Sequence, residues 1–234
     1  MALILENRPI AGDIFEIALS GVPVGSPGQF VQVHLPDASM LLPRPISLFD
    51  SDAGTGVTRL VYRVAGRGTK LLSTLISGEL RVTGPLGAGF PLLEGDAVLI
   101  GGGLGIAPLH LLCKALRNAD ANRRISVFLG YSDEVFLVDR FESADICTTD
   151  IGGYITDRID FHAPATYYAC GPAPMMAAAA RCIRDTGNAL FVSLERRMAC
   201  GVGACYACSI KTRGGNRRVC KDGPVFMASE VYYE

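Results

Sequence analysis

Ala97-Val98-Leu99-Ile100-Gly101-Gly102-Gly103-Leu104-Gly105-Ile106-Ala107-Pro108 is the stretch that decides the fold. Apolar residues of strand length run into four glycines within five positions, and an apolar segment of helical length follows at residues 106–116. A short apolar run closed by glycine and continued as a helix opens a βαβ unit. Without side chains in the turn, backbone N–H groups and the helix N-terminus can approach a pyrophosphate. Gly102, Gly103 and Gly105 are therefore candidate nucleotide contacts. The third glycine of a full G-x-G-x-x-G is replaced, so a tight strand–helix turn without ligand is the competing reading.

Downstream, residues 124–129 and 166–169 read as further buried strands. Residues 174–185 open on Pro174, carry a run of alanines and read as a helix. Strand–helix alternation of this kind gives a parallel sheet with crossovers. Cys170-Gly171-Pro172 closes the later strand and lies at the carboxyl edge of the sheet, where open α/β folds bind ligands. Upstream the rhythm differs. Residues 14–18, 29–35, 57–65 and 79–83 are short β-like runs broken by Gly and Pro, the pattern of an antiparallel barrel or sandwich.

Composition narrows the function classes. The 234 residues carry 22 basic and 23 acidic side chains, a net charge of −1, so no basic excess is available for nucleic acid. With 49% hydrophobic and 19% charged residues the chain is globular rather than disordered. The longest uncharged stretch, residues 97–113, is too short and too glycine-rich for a membrane span. No basic run precedes the apolar N-terminal residues, so a cytoplasmic, reducing location is expected.

Half of the 8 cysteines fall in one segment. Cys200, Cys205, Cys208 and Cys220 have the spacing C-x4-C-x2-C-x11-C, that of a plant-type [2Fe–2S] cluster. Gly201 and Gly203 allow the loop to fold tightly around the sulfurs. A zinc site is the alternative, although zinc favours two close cysteine pairs in sequence, and four unrelated thiols are another. The last forty residues hold too few large apolar side chains for a core of their own, so they must dock on their neighbours.

In the first half, Arg44-Pro45-Ile46-Ser47 begins a strand-like run in which Arg can grip a phosphate and Ser can hydrogen-bond a ring nitrogen. Val61-Tyr62-Arg63 precedes Gly66-Arg67-Gly68-Thr69, where two glycines and a hydroxyl can cradle a second phosphate. Beside an iron–sulfur motif and a nucleotide turn, these segments suggest a flavin.

Arg44–Ser47, Gly66–Thr69, Gly84-Pro85-Leu86-Gly87, the glycine turn and Cys170–Pro172 occur in the order found in the ferredoxin–NADP reductase superfamily, which the chain resembles over almost its whole length. With Ser193-Leu194-Glu195-Arg196-Arg197-Met198-Ala199-Cys200 leading into the cysteines, it resembles the branch of electron-transfer subunits that serve NAD-linked dihydroorotate dehydrogenase. The resemblance implies an FAD-binding Greek-key β-barrel (1–95), a Rossmann-like parallel α/β domain for NAD(H) (96–194) and a small C-terminal iron–sulfur module (195–234). It implies FAD contacts from Arg44, Pro45, Ile46, Ser47, Val61, Tyr62, Arg63, Gly68 and Thr69. Cysteines 200, 205, 208 and 220 would ligate the cluster. Ser47 is then expected near the flavin N5, and Cys170, with Gly171 and Pro172, beside the nicotinamide. NADP-using members commonly place Ser-Arg where this chain has Thr149-Asp150, and an acidic Asp150 suits a free ribose 2′-OH, so NAD(H) is expected. The competing reading of the acidic stretch around Asp150 is a solvated face. The implied partner is an FMN-containing catalytic subunit in a heterotetramer, with neither nucleic acid nor membrane involved. The x11 spacing before Cys220 is shorter than usual in that branch. Two alternatives stay open: a reductase subunit serving sulfite reductase, hydrogenase or ferredoxin, and a non-enzymatic redox sensor.

Overall fold

A computed structural model describes residues 1–233. The first unit contains strands β1 (Ala2–Ala11), β2 (Ile14–Ser20), β3 (Phe30–His34), β4 (Arg44–Asp52), β5 (Val57–Arg63) and β6 (Glu79–Leu86), with helix α1 (Arg67–Thr74) between the last two. They close into an antiparallel barrel in the order β1-β2-β5-β4-β3-β6. Pairing of β2 with β5 and of β3 with β6 gives it Greek-key connectivity. Alternation along β3 and β5 turns Val31, Val33, Leu60 and Tyr62 into the barrel core beside Leu48 and Leu80.

The second unit follows the expected strand–helix rhythm through β7 (Ala97–Gly102), α2 (Ala107–Ala119), β8 (Ile125–Tyr131), β9 (Ile146–Ile151), β10 (Thr166–Cys170), α3 (Ala173–Ile183) and β11 (Ala189–Ser193). All six residues of β7 are buried, the mark of a central parallel strand covered on both faces. Leu99 packs with α2 on one face, and Val98 and Ile100 pack with α3 on the other.

The cysteine segment forms a hairpin of β12 (Ser209–Thr212) and β13 (Gly215–Arg218). A final strand, β14 (Val225–Met227), and a short helix, α4 (Ala228–Val231), follow it. Strand β14 joins the large sheet antiparallel to β11, giving the order β14-β11-β10-β7-β8-β9. The tail therefore borrows a core. Ile210, Val219, Cys208 and Cys220 pack with sheet residues and with Phe30 of the barrel.

Barrel and sheet meet through apolar and ionic contacts. Ile14, Phe49 and Val61 on the outer barrel face pack with Leu109 and Leu112 of α2. Burying a side chain of this size contributes about 2 kcal/mol. Lys114 of α2 pairs with Asp50 at 2.7 Å. Glu16, only 1% exposed, accepts from Arg59 of the barrel at 2.7 Å and from Arg140 of the second unit at 3.0 Å. His110 is stacked on Phe49 and lies close to the Arg140 backbone. Burial holds its pKa down to about 4, against an opposing pull from Asp50. Among the described residues no helix is long and apolar enough to cross a membrane.

Candidate cofactor sites

The barrel opens where the first two sequence motifs lie. Strand β4 pairs with β3 through residues 44–47 but with β5 only from Leu48 onward, after which the ladder is bulged. Strand β5 pairs with β2 through residues 61–63, while its β4 side stops at Leu60. Residues 44–47 and 61–63 therefore face each other across a gap with backbone groups that neither strand satisfies, and such groups need a partner. Ile46 points into the core, whereas Ser47 lies half-buried on the outer face.

Arg44 stands beside the N-terminus of α1. A Cβ on Gly68 would come within 2.2–2.5 Å of the Arg44 guanidinium, so a side chain there would push that guanidinium away from the helix start. Arg44 also donates to the Leu42 carbonyl and to Met40 Sδ. Thr69 Oγ1 accepts from the Ala65 and Gly66 amides at 2.9 and 3.2 Å, and the first turn of α1 carries no acid. A cation set against the positive end of a helix is a repulsive arrangement that a phosphate relieves. The donor set fits the pyrophosphate of a flavin dinucleotide.

Three of the expected flavin residues sit differently from a side-chain ligand. Tyr62 points inward and donates to Asn7 Oδ1 at 2.9 Å, and burial pushes its hydroxyl up to about 12. Only its backbone faces the gap. Val61 packs against the second unit, and Arg63 is exposed and pairs with Asp13 at 3.3 Å.

The nucleotide crevice lies where strand order reverses. From β7 the chain runs outward to β8 and β9, then returns to place β10 on the other side of β7. The glycine turn and Cys170-Gly171-Pro172 hang over this switch point, the expected ligand crevice. Their glycines serve first to bring the two turns together. A Cβ on Gly105 would lie 2.4 Å from the Cys170 carbonyl, and one on Gly171 2.9 Å from the Gly102 backbone. A Cβ on Gly102 would meet Met175 Sδ at 2.7 Å. Gly103, with φ +52, faces open space. Cys170 is buried and its thiol is pushed up to about 12 by burial and by the Glu195 charge, against a hydrogen bond with Ser193. It is a neutral thiol suited to packing rather than nucleophilic attack.

Asp150 ends β9 beside Gly130, about 10 Å across the sheet from β7 at strand spacing. Its carboxylate accepts from Arg158 Nε at 3.0 Å and from the Gly153 amide at 3.1 Å. A carboxylate offers about four acceptor positions, so capacity remains for a ribose hydroxyl.

The four motif cysteines form two pairs. Cys200 is in hydrogen-bonding contact with Cys205, and Cys208 with Cys220. Among the described residues no three ligating side chains converge on one point. Two pairs fit a two-iron cluster better than a single zinc ion, which draws four thiolates to one centre. Cys200 Sγ accepts from the Ala204 and Cys205 amides at 3.3 and 3.4 Å, which holds its pKa down to about 6. Cys220 is pushed up to about 12 by burial and by Cys208. Bound metal would displace that proton.

Two neighbours of the loop carry no sequence signal. Arg218 is clamped by Asp222 at 3.0 Å, donates to the Gly203 carbonyl at 3.1 Å and lies over the Tyr206 ring. Gln32 of β3 lies under Gly201. Neither stands out in the sequence, because Gln32 meets Gly201 from the barrel and Arg218 meets Gly203 from across the hairpin.

Known proteins resemble this chain over almost its whole length. Residues 195–232 match the model of the iron–sulfur cluster binding domain of dihydroorotate dehydrogenase B. The electron transfer subunit of dihydroorotate dehydrogenase B (NAD(+)) from Fusobacterium nucleatum is 38% identical, covering 98% of this chain and 96% of its own. The subunit of the same name from Geobacillus thermodenitrificans is 39% identical over 97% and 96%. A solved structure of an NADH-dependent reduced ferredoxin–NADP oxidoreductase, described in connection with flavin-based electron bifurcation, aligns with a TM-score of 0.88. It is 32% identical and covers 99% of this chain and 89% of that one.

Proposed function

The chain belongs to the electron transfer subunits of dihydroorotate dehydrogenase B (NAD(+)), and from that premise we propose that it links NAD(H) to a separate catalytic subunit through FAD and a [2Fe–2S] cluster. A flavin exchanges two electrons with NADH as a hydride and single electrons with an iron–sulfur cluster, so it converts one currency into the other. The protein's part is to hold and orient these groups.

Arg44, Gly68 and Thr69 bind the FAD pyrophosphate at the start of α1, and the edges 44–47 and 61–63 line the flavin, with Ser47 hydrogen-bonding near its reactive nitrogen. Gly102, Gly103 and Gly105 receive the NAD(H) pyrophosphate, Asp150 takes the ribose, and Cys170, Gly171 and Pro172 pack beside the nicotinamide. Cys200, Cys205, Cys208 and Cys220 would hold the cluster. The functional division follows residues 1–95, 96–194 and 195–234. The catalytic partner carries FMN, the assembly is a heterotetramer, and a reducing cytoplasm suits its clustered thiols. Dihydropyrimidine chemistry belongs to that partner.

The observation that carries this reading is the unpaired gap between β4 and β5 beside a strand, β3, on which the paired cysteines are docked. The test is reconstitution. Mixed with its catalytic partner, the chain is expected to support dihydroorotate-dependent reduction of NAD(+), and either component alone is not. Absence of that activity in a mixture whose components are fully loaded would overturn the assignment. The likeness to the ferredoxin–NADP oxidoreductase favours one second reading, the same module attached to a different reductase. Copurification with a subunit that reduces an acceptor other than orotate would support it.

A further inference from the structure

Strand β3 forms a shared wall between the proposed flavin gap and the cysteine loop. Phe30 and Gln32 project from its outer face, since Val31 and Val33 occupy the barrel core. Phe30 packs with Cys208 and Cys220, and in register it neighbours Ser47 of β4. Gln32 is 2% exposed and neighbours Pro45 of β4. Its Nε2 donates to the Ala199 carbonyl at 3.5 Å. Gly201, with φ +69, lies directly on it, and a Cβ there would come within 2.1 Å of Nε2. Ala199 and Gly201 flank Cys200, so one buried amide supports both sides of the first cysteine.

Burying an amide costs roughly 1–3 kcal/mol unless it is used. A Met or Leu would fill the outer face of β3 without that cost, which makes the choice of glutamine informative. One strand spacing, about 4.8 Å, separates β3 from β4. Gln32 touches the Cys200 turn through its side chain and neighbours β4 in register, so its seating sets how closely the two meet.

We propose that Gln32 is a positioning residue that seats the Cys200 turn against β4 and so sets the gap across which an electron passes between flavin and cluster. The inference rests on the proposed flavin and cluster sites. The step moves one electron, with the reduced flavin oxidised by one and the oxidised cluster reduced by one. Tunnelling rates fall exponentially with the gap, so a loosened turn slows this step and leaves hydride transfer from NADH unchanged.

Two variants separate contact from volume. Gln32→Met keeps the length of the side chain and removes the donor, and Gln32→Ala removes the contact altogether. Purified, loaded full-length protein is mixed anaerobically with NADH. Flavin bleaching is followed by absorbance, and cluster reduction by rapid-freeze EPR normalised to cluster content. Hydrogen exchange is read on the amides of residues 199–205. In Gln32→Ala, flavin bleaching is expected within about twofold of wild type. Cluster reduction should be slower relative to flavin bleaching, because a loosened turn widens the gap that the electron crosses. Loop amides should exchange faster, with Gln32→Met intermediate in both. Unchanged cluster reduction and exchange in both variants would overturn the proposal, and so would equal slowing of flavin and cluster. A wild-type chain that takes up neither flavin nor cluster would instead refute the reading on which it rests.

Discussion

Asp150→Ser should turn the chain toward NADPH. In the wild type the Asp150 carboxylate ties down Arg158, which is otherwise 64% exposed, and occupies the Gly153 amide. Serine can still accept the Gly153 N–H, so the turn is retained, while its loss of charge frees the guanidinium. For a ribose 2′-phosphate at this position two terms change. Removing a like charge some 4–5 Å away is worth about 1 kcal/mol at a water-like dielectric. A released Arg158 forming a charge-assisted bond to the phosphate adds roughly 1–2 kcal/mol, discounted for exposure. Together, about 2–3 kcal/mol corresponds to a rise in NADPH kcat/KM of roughly 30–150-fold. With NADH the lost hydroxyl–carboxylate bond should cost about fivefold. Steady-state reduction of ferricyanide with each nucleotide measures both. Because the gain is ionic, it should shrink as salt rises. A gain for NADPH below about threefold would refute the placement of the ribose at Asp150. A wild type that uses NADPH as well as NADH would refute it too.

Three further outcomes follow from the geometry. Gly68→Ala drives a methyl into the Arg44 guanidinium, so the protein should purify with its FAD affinity reduced by at least roughly tenfold, as read by flavin fluorescence. Its thermal stability should hold or rise slightly, because alanine favours helix by about 1 kcal/mol. His110, pushed down to about 4 in the fold, is neutral when native and protonated when unfolded between that value and about 6.5. The unfolded state therefore binds more protons in that window. Stability should fall as pH drops from 6.5 toward 4, by an amount on the order of 3 kcal/mol, and His110→Phe should flatten this part of a urea-melt pH profile. Arg218→Met removes a cation beside the cluster and its bond to Gly203, so potentiometry should show a more negative cluster midpoint and a cluster lost faster to chelator.

Much of the molecule was legible from residues 97–108 and from the cysteine spacing, because both are local. A strand, a glycine turn and a helix lie within one window, and four thiolates fix a loop. Strand β1 was missed because its polar residues, Glu6, Asn7 and Arg8, hide the pairing with β2 that a neighbouring strand supplies. Strands β9, β11 and β14 went unread for a related reason. The three residues of β14 become a strand only against β11, more than thirty positions away.

The glycines show where local reading misleads. Gly102, Gly105 and Gly171 look like room for a ligand, yet the nearest claim on that room is the opposing turn, some 65 residues distant. Tyr62 is a similar case. The resemblance implies Tyr62 as an FAD contact, and the period of two along β5 turns its ring into the core, leaving only its backbone toward the gap.

One chain is expected to hold a flavin and a two-iron cluster in electronic contact. Anaerobic titration of the purified, reconstituted protein with NADH, followed by absorbance and EPR together, tests it most directly. FAD accepts two electrons and the cluster one, so full reduction should consume about one and a half equivalents of NADH. The flavin band should bleach while a spin-half cluster signal grows. A protein that binds zinc in place of iron, or one whose flavin bleaches after a single equivalent with no cluster signal, would contradict the account.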